Sequence, residues 1–272
     1  MDELVFVKLG GSLLTDKTRA LALRSDVLAR LGREIAAALA ERRGLRLLIG
    51  HGSGSFGHVV ASRYGTRDGV KSSQDWRGYA ETCCVAAELN HFVVTALREA
   101  GIPILPVQPS ASASCRDGEL RAMDERPLRI AVANGLVPVV YGDVALDDVR
   151  GGTIASTEQI FRWLAPRLGP QRVVLVGEVE GVLTADPATG AKGELIPEIT
   201  PSSLPRVAAV LGGSRGVDVT GGMLGKVMEM MALVEETPSM TAVQIISGVK
   251  PGLVRTALVD PEAAVGTRIW AP

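Results

Sequence analysis

Six short apolar runs punctuate the chain, at residues 4–9, 45–49, 102–107, 137–141, 173–176 and 243–246. None alternates with polar residues, which is the pattern of strands buried on both faces. Between them the apolar positions change to a helical period. Val27, Leu28, Leu31, Ile35 and Leu39 share one face, with Ser25 placed to cap the start and Gly44 to close the end. Residues 79–100 repeat the pattern with Val85, Leu89, Phe92, Val93 and Leu97. Strand–helix alternation of this kind predicts βαβ units and an α/β fold with a mostly parallel sheet. Asp117-Gly118 predicts a β-hairpin at the rim. Neither an internal repeat nor a linker-like tract interrupts the 272 residues. A soft boundary is expected between Pro166 and Pro170, dividing an acceptor lobe (1–165) from a nucleotide lobe (166–272) of one domain.

Charge and composition narrow the function. Aromatic residues make up only 4% of the chain and the formal net charge is −1. Stacking platforms and basic patches for nucleic acid, or for an anionic membrane surface, are therefore not expected. No apolar run approaches the roughly 20 residues of a membrane span, and the amino terminus lacks a signal-peptide pattern. The three cysteines, Cys83, Cys84 and Cys115, form no CxxC pair. Buried thiols in a reducing cytoplasm are the expectation, with neither a disulfide framework nor a protein-bound metal.

Chemistry concentrates in three glycine-rich turns. The first strand runs into Lys8-Leu9-Gly10-Gly11-Ser12, followed by Thr15-Asp16-Lys17. Glycines at a strand exit let backbone N–H groups approach an anion, and Ser12 adds a hydroxyl donor. Lys8 and Lys17 bring two charges to the same rim. The second strand opens onto a run from Gly50 to His58 that holds Gly52, Ser53, Gly54 and Gly57. Such a run before an apolar segment makes a backbone cradle for phosphate at a helix start, where His58 could donate to it. It matches neither GxxxxGK[ST] nor GxGxxG. The third turn runs from Asp218 through Gly221 and Gly222 to Lys226, which could reach a nucleotide's β/γ bridge. Each turn alone could equally be an ordinary tight connection; three together, each with a cation or histidine, point to phosphate.

These motifs resemble the amino acid kinase superfamily, whose members begin with a strand ending in Lys-x-Gly-Gly-Ser. Within it the chain is similar to the isopentenyl phosphate kinases. The similarity runs over Lys8–Ser12 with Thr15-Asp16-Lys17, His51–His58, the segment from Val137 to Asp143, and Asp218–Lys226. The resemblance spans residues 5 to about 269. It implies a three-layer αβα sandwich and direct, in-line transfer of the γ-phosphoryl of ATP, with Mg²⁺, onto an isoprenoid monophosphate. It also implies a cytoplasmic homodimer.

Site roles follow from the same resemblance. Lys8, Gly10, Gly11 and Ser12 would hold the ATP phosphates, and Lys17 would sit over the transferring group. Gly54 would line both phosphate sites, and Ser53 and His58 would bind the acceptor's phosphate, with Gly142 and Asp143 flanking it. Gly222, Lys226 and Glu178 would contact the nucleotide, and Glu158 would organise the lysines. The chain departs from the pattern at Ser53, which replaces a glycine, and at Glu158, Glu178 and Glu180, which replace aspartates. The helix around Cys83, Cys84 and Ala87 is expected to enclose the acceptor's tail. A fosfomycin kinase, or a kinase of another small phosphate or phosphonate, is the alternative within enzymes. A non-catalytic nucleotide sensor or storage protein is the alternative outside them.

Overall fold

The computed structural model describes residues 2–16, 19, 21–185, 192–212 and 222–272. All six apolar runs form strands: β1 (Glu3–Leu9), β2 (Leu45–His51), β3 (Ile104–Pro106), β6 (Val137–Tyr141), β9 (Arg172–Gly177) and β11 (Ala242–Ser247). With β10 (Glu198–Ile199) and β12 (Thr267–Ile269) they make an eight-stranded sheet of order β10-β12-β11-β9-β1-β2-β6-β3. Every pairing in it is parallel except β11 with β12.

The lack of alternation in these strands has its expected cause. Val5, Val7 and Leu9 face one apolar layer, and Phe6 faces the other. On the first face lie helices α2 (Ser25–Glu41), α4 (Ser73–Glu99) and α9 (Leu253–Val259), which contribute Leu31, Ile35, Leu89, Val93 and Leu258. The second face carries α5 (Arg126–Ala133), α6 (Thr157–Leu168), α7 (Leu204–Gly212) and α8 (Gly222–Glu236), through Leu128, Phe161, Val207 and Met230. The result is the α/β sandwich of three layers, both helical layers burying one stripe against the sheet.

Three local expectations need correction. Ser25 does not cap α2; Arg24 holds the cap position and makes no side-chain cap bond. The long helix begins at Ser73, not near residue 79, because Ser72 and Asp75 form a reciprocal capping box ahead of the apolar stripe. Polar Gln74, Asp75 and Arg77 hid that first turn from an apolar-period reading. Cys84 is exposed and Cys83 half-buried, so only Cys115 is a buried thiol.

A smaller sheet of order β5-β4-β7-β8 covers one edge, built from β4 (Ser114–Arg116), β5 (Glu119–Ala122), β7 (Asp143–Asp147) and β8 (Gly151–Ala155). The hairpin at Asp117-Gly118 is present, both residues having positive φ, 52° and 84°. That is the conformation of a two-residue primed turn.

Asp147 joins this hairpin to the β7–β8 turn. Its carboxylate accepts the amides of Asp117 (3.0 Å), Gly118 (2.7 Å), Val149 (2.8 Å) and Arg150 (2.8 Å). Burial opposes its ionisation, but these donors outweigh burial and hold the carboxyl below its usual range. A depressed carboxylate pKa adds stability above the unfolded value and loses it as pH falls through the folded one. Asp147→Ala is therefore expected to cost about 1–3 kcal/mol at pH 7 in denaturant unfolding. The gap to the parent chain should narrow below roughly pH 4, and a gap that stays constant to pH 2 would contradict the assignment.

Candidate active site

The carboxyl ends of β1 and β2 lie side by side, and each runs into a helix start. After β1 comes the one-turn α1 (Gly11–Leu14), and after β2 comes α3 (Gly54–Tyr64). The two starts touch through backbone alone. A Cβ on Gly11 would stand 2.3 Å from the Gly54 nitrogen, and one on Gly54 would stand 2.2 Å from the Thr15 hydroxyl oxygen. Gly54 also has φ of +49°, a left-handed conformation that favours glycine. Thr15 locks the pair: its buried hydroxyl donates to the Gly11 carbonyl (2.9 Å) and accepts the Ser55 amide (2.9 Å).

Counting amides shows what remains for a ligand. Gly10 donates to Val176, Gly52 to Leu9, Leu13 and Leu14 to Gly10, and Phe56 and Gly57 to Ser53. Among the described residues, the amides of Gly11, Ser12, Ser53 and Gly54 are left with no backbone acceptor. Four N–H groups at two adjacent helix starts form a compact anion cradle. The Ser53 side chain lies over Gly57, where a Cβ would fall 2.5 Å from the serine Cβ.

Cations flank the cradle. Lys8 is the penultimate residue of β1, and its Nζ lies 2.7 Å from Glu158 Oε1, in the first turn of α6. Ser156 and Gln159 form a capping box that fixes this turn, and Gln159 Nε2 donates to Gly118 of the hairpin (2.9 Å). Burial alone would raise the Glu158 pKa, but Lys8 and then Lys226 hold it below its usual value. Glu158 thus pairs directly with Lys8, and the charge of Lys226 also favours its ionised form. Lys226 lies in the first two turns of α8, which opens at Gly222 with φ of +59°. On the next turn, burial and the charge of Glu158 raise the pKa of Glu229, while Arg162 and Lys8 offset part of the shift. Glu178 follows β9 and pairs with Arg24 at 3.0 Å, while Glu180 pairs with Lys250 at 2.5 Å.

On the other side of β2, His58 occupies an exposed position one turn into α3. His51 is buried and stacked on Tyr141, with Nε2 3.1 Å from Asn90 Oδ1, and burial lowers its pKa. Gly142 donates its amide to the His51 carbonyl at 3.1 Å. Asp143 is 1% exposed, and its oxygens accept the amides of Ser110 (3.1 Å) and Val144 (2.8 Å). Burial raises its pKa despite those bonds. Beside it, Cys83 Sγ lies 3.8 Å from Ser110 Oγ and accepts from Gln108 Nε2 at 3.6 Å. Asp143 therefore braces the loop that faces α4.

The structure thus brings Lys8, Gly10, Gly11, Ser12, Ser53, Gly54, Glu158 and Lys226 to one end of the sheet. Lys17 and the segment from Asp218 to Gly221 lie outside the described residues. Sequence reading gave no role to Thr15, although its hydroxyl one turn after Gly11 is a recognisable back-bonding position. Thr157 was missed as well. It donates to the His51 carbonyl at 2.7 Å and packs against Gly50, where a Cβ would meet its Cγ2 at 2.6 Å.

Paired glycine turns at adjoining parallel strands, with Lys8 paired to Glu158 beside them, define an α/β protein suited to phosphate groups. The chain belongs to the amino acid kinase family, whose model matches residues 3–247. It is 36% identical over 273 residues to the isopentenyl phosphate kinase of Methanothermobacter thermautotrophicus, with 98% of each chain covered. To that of Haloferax volcanii it is 40% identical over 231 residues, covering 85% of this chain and 88% of the relative. A solved X-ray structure of isopentenyl phosphate kinase superposes with a TM-score of 0.81 at 33% identity, covering 98% and 99% of the two chains.

Gly11→Ala tests the cradle directly. The new Cβ must push the two turns apart, and losing a hydrogen bond to a charged phosphate oxygen costs about 1.5–3 kcal/mol, on the order of 10–10²-fold in affinity. Titration calorimetry should show the affinity for a nucleoside triphosphate falling by that order. An unchanged dissociation constant would mean that the apposed turns do not hold its phosphates.

Proposed function

We propose that this chain catalyses ATP-dependent phosphorylation of isopentenyl phosphate to isopentenyl diphosphate, a step of isoprenoid biosynthesis. The observation that carries the reading is the contact of the two glycine turns, which leaves four amides and a lysine–glutamate–lysine cluster around one anion cradle. The similarity to isopentenyl phosphate kinases over nearly the whole chain supports the acceptor.

In this account Gly10, Gly11, Ser12 and Gly54 hold the phosphates of ATP, with Gly222, Lys226 and Glu178 on the nucleotide side. Lys8 and Lys226 neutralise charge on the transferring group, and Lys17 completes that set. Glu158 keeps the lysines aligned. Ser53, Gly54 and His58 take the acceptor's phosphate, with Gly142 and Asp143 bounding its site. A phosphate oxygen is already ionised near neutral pH, so the transfer needs no strong general base. Positioning and charge neutralisation do the catalysis. Mg²⁺ enters with ATP as part of the donor, held by phosphates and water. Among the described residues no group of three or more His, Cys, Asp or Glu is placed to hold a metal.

Residues 1–165 form the acceptor lobe and 166–272 the nucleotide lobe in this reading. The working unit is a cytoplasmic homodimer, for which exposed Val59 and Phe92 on adjoining helices offer apolar surface to cover. No helix among the described residues is long and apolar enough to cross a membrane.

A second acceptor is worth testing because Gln108, Ser110 and Cys83 set polar atoms beside α4. Steady-state kinetics with Mg-ATP should compare isopentenyl, dimethylallyl and geranyl phosphates with fosfomycin. Isopentenyl phosphate should lead fosfomycin by about tenfold or more in kcat/KM, a difference of about 1.4 kcal/mol. The reverse order would transfer the assignment to the antibiotic, and silence on all four with ATP bound would support a sensor. His58→Ala and Lys226→Ala should each lower kcat about 10²–10³-fold. Parental rates in both would remove these residues from the site.

A further inference from the structure

Ser55 is only 4% exposed, and its hydroxyl has no hydrogen-bond partner. Thr237 Oγ1, Arg268 Nε and Trp270 Nε1 share that condition among the described residues, but Ser55 alone lies in a glycine turn. A buried hydroxyl left unpaired destabilises the fold, so its presence at a ligand cradle has a chemical meaning.

Ser55 is the second residue of α3, an eleven-residue helix. Its backbone is held by Thr15, which takes the Ser55 amide at 2.9 Å and is itself tied to Gly11. Helical side chains lean toward the amino terminus, and the two residues before Ser55 are Ser53 and Gly54, whose amides have no backbone acceptor among the described residues. His58 follows three residues later on the same stripe of the helix. We infer that the Ser55 hydroxyl is a further phosphate-binding group, donating to an anionic oxygen seated at the start of α3. In sequence it lies between Gly54 and His58, within the first turn of the helix.

The inference rests on the phosphoryl-transfer reading and refines it. The oxygen can belong to the acceptor's phosphate or to the γ-phosphate of ATP, and both present the same chemistry to a hydroxyl.

The test uses the full chain, as parent and as Ser55→Ala, in two calorimetric titrations: one with isopentenyl phosphate, one with ATP. Melting without ligand accompanies them. Removing an unpaired hydroxyl should leave the ligand-free Tm unchanged or raise it. Affinity in one arm should fall about tenfold, the loss expected for a hydrogen bond to a charged oxygen. A fall in the isopentenyl phosphate arm assigns the hydroxyl to the acceptor, and a fall in the ATP arm assigns it to the γ-phosphate. Affinities in both arms within about twofold of the parent would overturn the inference, since about twofold is under 1 kcal/mol. So would a ligand-free Tm lowered by several degrees, which marks a structural hydroxyl. Should the parent bind ATP but no isopentenyl phosphate, the acceptor assignment fails and Ser55 is judged on the ATP arm alone.

Discussion

The approach of Gly11 to Gly54 is the constraint on which the site depends. Two parallel strands deliver two helix starts to the same edge of the sheet, and any side chain at either glycine would separate them. Because the contact is backbone on backbone, it can place N–H groups close together with no flexible side chain between them. Thr15 converts proximity into rigidity, since one hydroxyl serves both turns. The small α1 matters for this reason: it is too short to be stable alone, and its value lies in where it puts its amides.

Around that frame the electrostatics are balanced by pairs. Glu158, at a capped helix start, pairs with Lys8, and the charge of Lys226 also favours its carboxylate. The same capping box reaches the Asp117-Gly118 hairpin through Gln159, so the smaller sheet is coupled to the charged cluster. Asp147 then fixes that hairpin from below. A chain of short-range bonds thus links the rim of the molecule to the anion cradle.

Much of this was legible in the sequence, and the reason is physical. Strands buried on both faces leave unbroken apolar runs, so all six could be located before the fold was known. The glycine turns were visible because close backbone approach tolerates no Cβ. Edges were less legible. The first turn of α4 is polar and solvated, and only its Ser72–Asp75 capping box marks it. Strands β7 and β8 belong to a sheet at the rim, where Leu146 is exposed and the burial signal weakens. Thr15 and Thr157 act through hydroxyls that meet the Ser55 amide and the His51 carbonyl, 40 and 106 residues away in sequence. Nothing in composition distinguishes such a hydroxyl from a solvated one, and only the fold brings the partners together: β1 beside β2 for Thr15, and the start of α6 against the end of β2 for Thr157.

In the proposed reaction a phosphoryl group passes directly between two phosphates bound at the apposed turns. The stereochemical course at phosphorus tests it most directly. The enzyme would be given ATP made chiral at the γ-phosphate with oxygen isotopes, and isopentenyl phosphate as acceptor, and the configuration of the transferred group read by ³¹P NMR. A single in-line displacement inverts that configuration, and inversion is the result expected here. Retention would require two displacements through a phosphorylated enzyme, and would contradict the account.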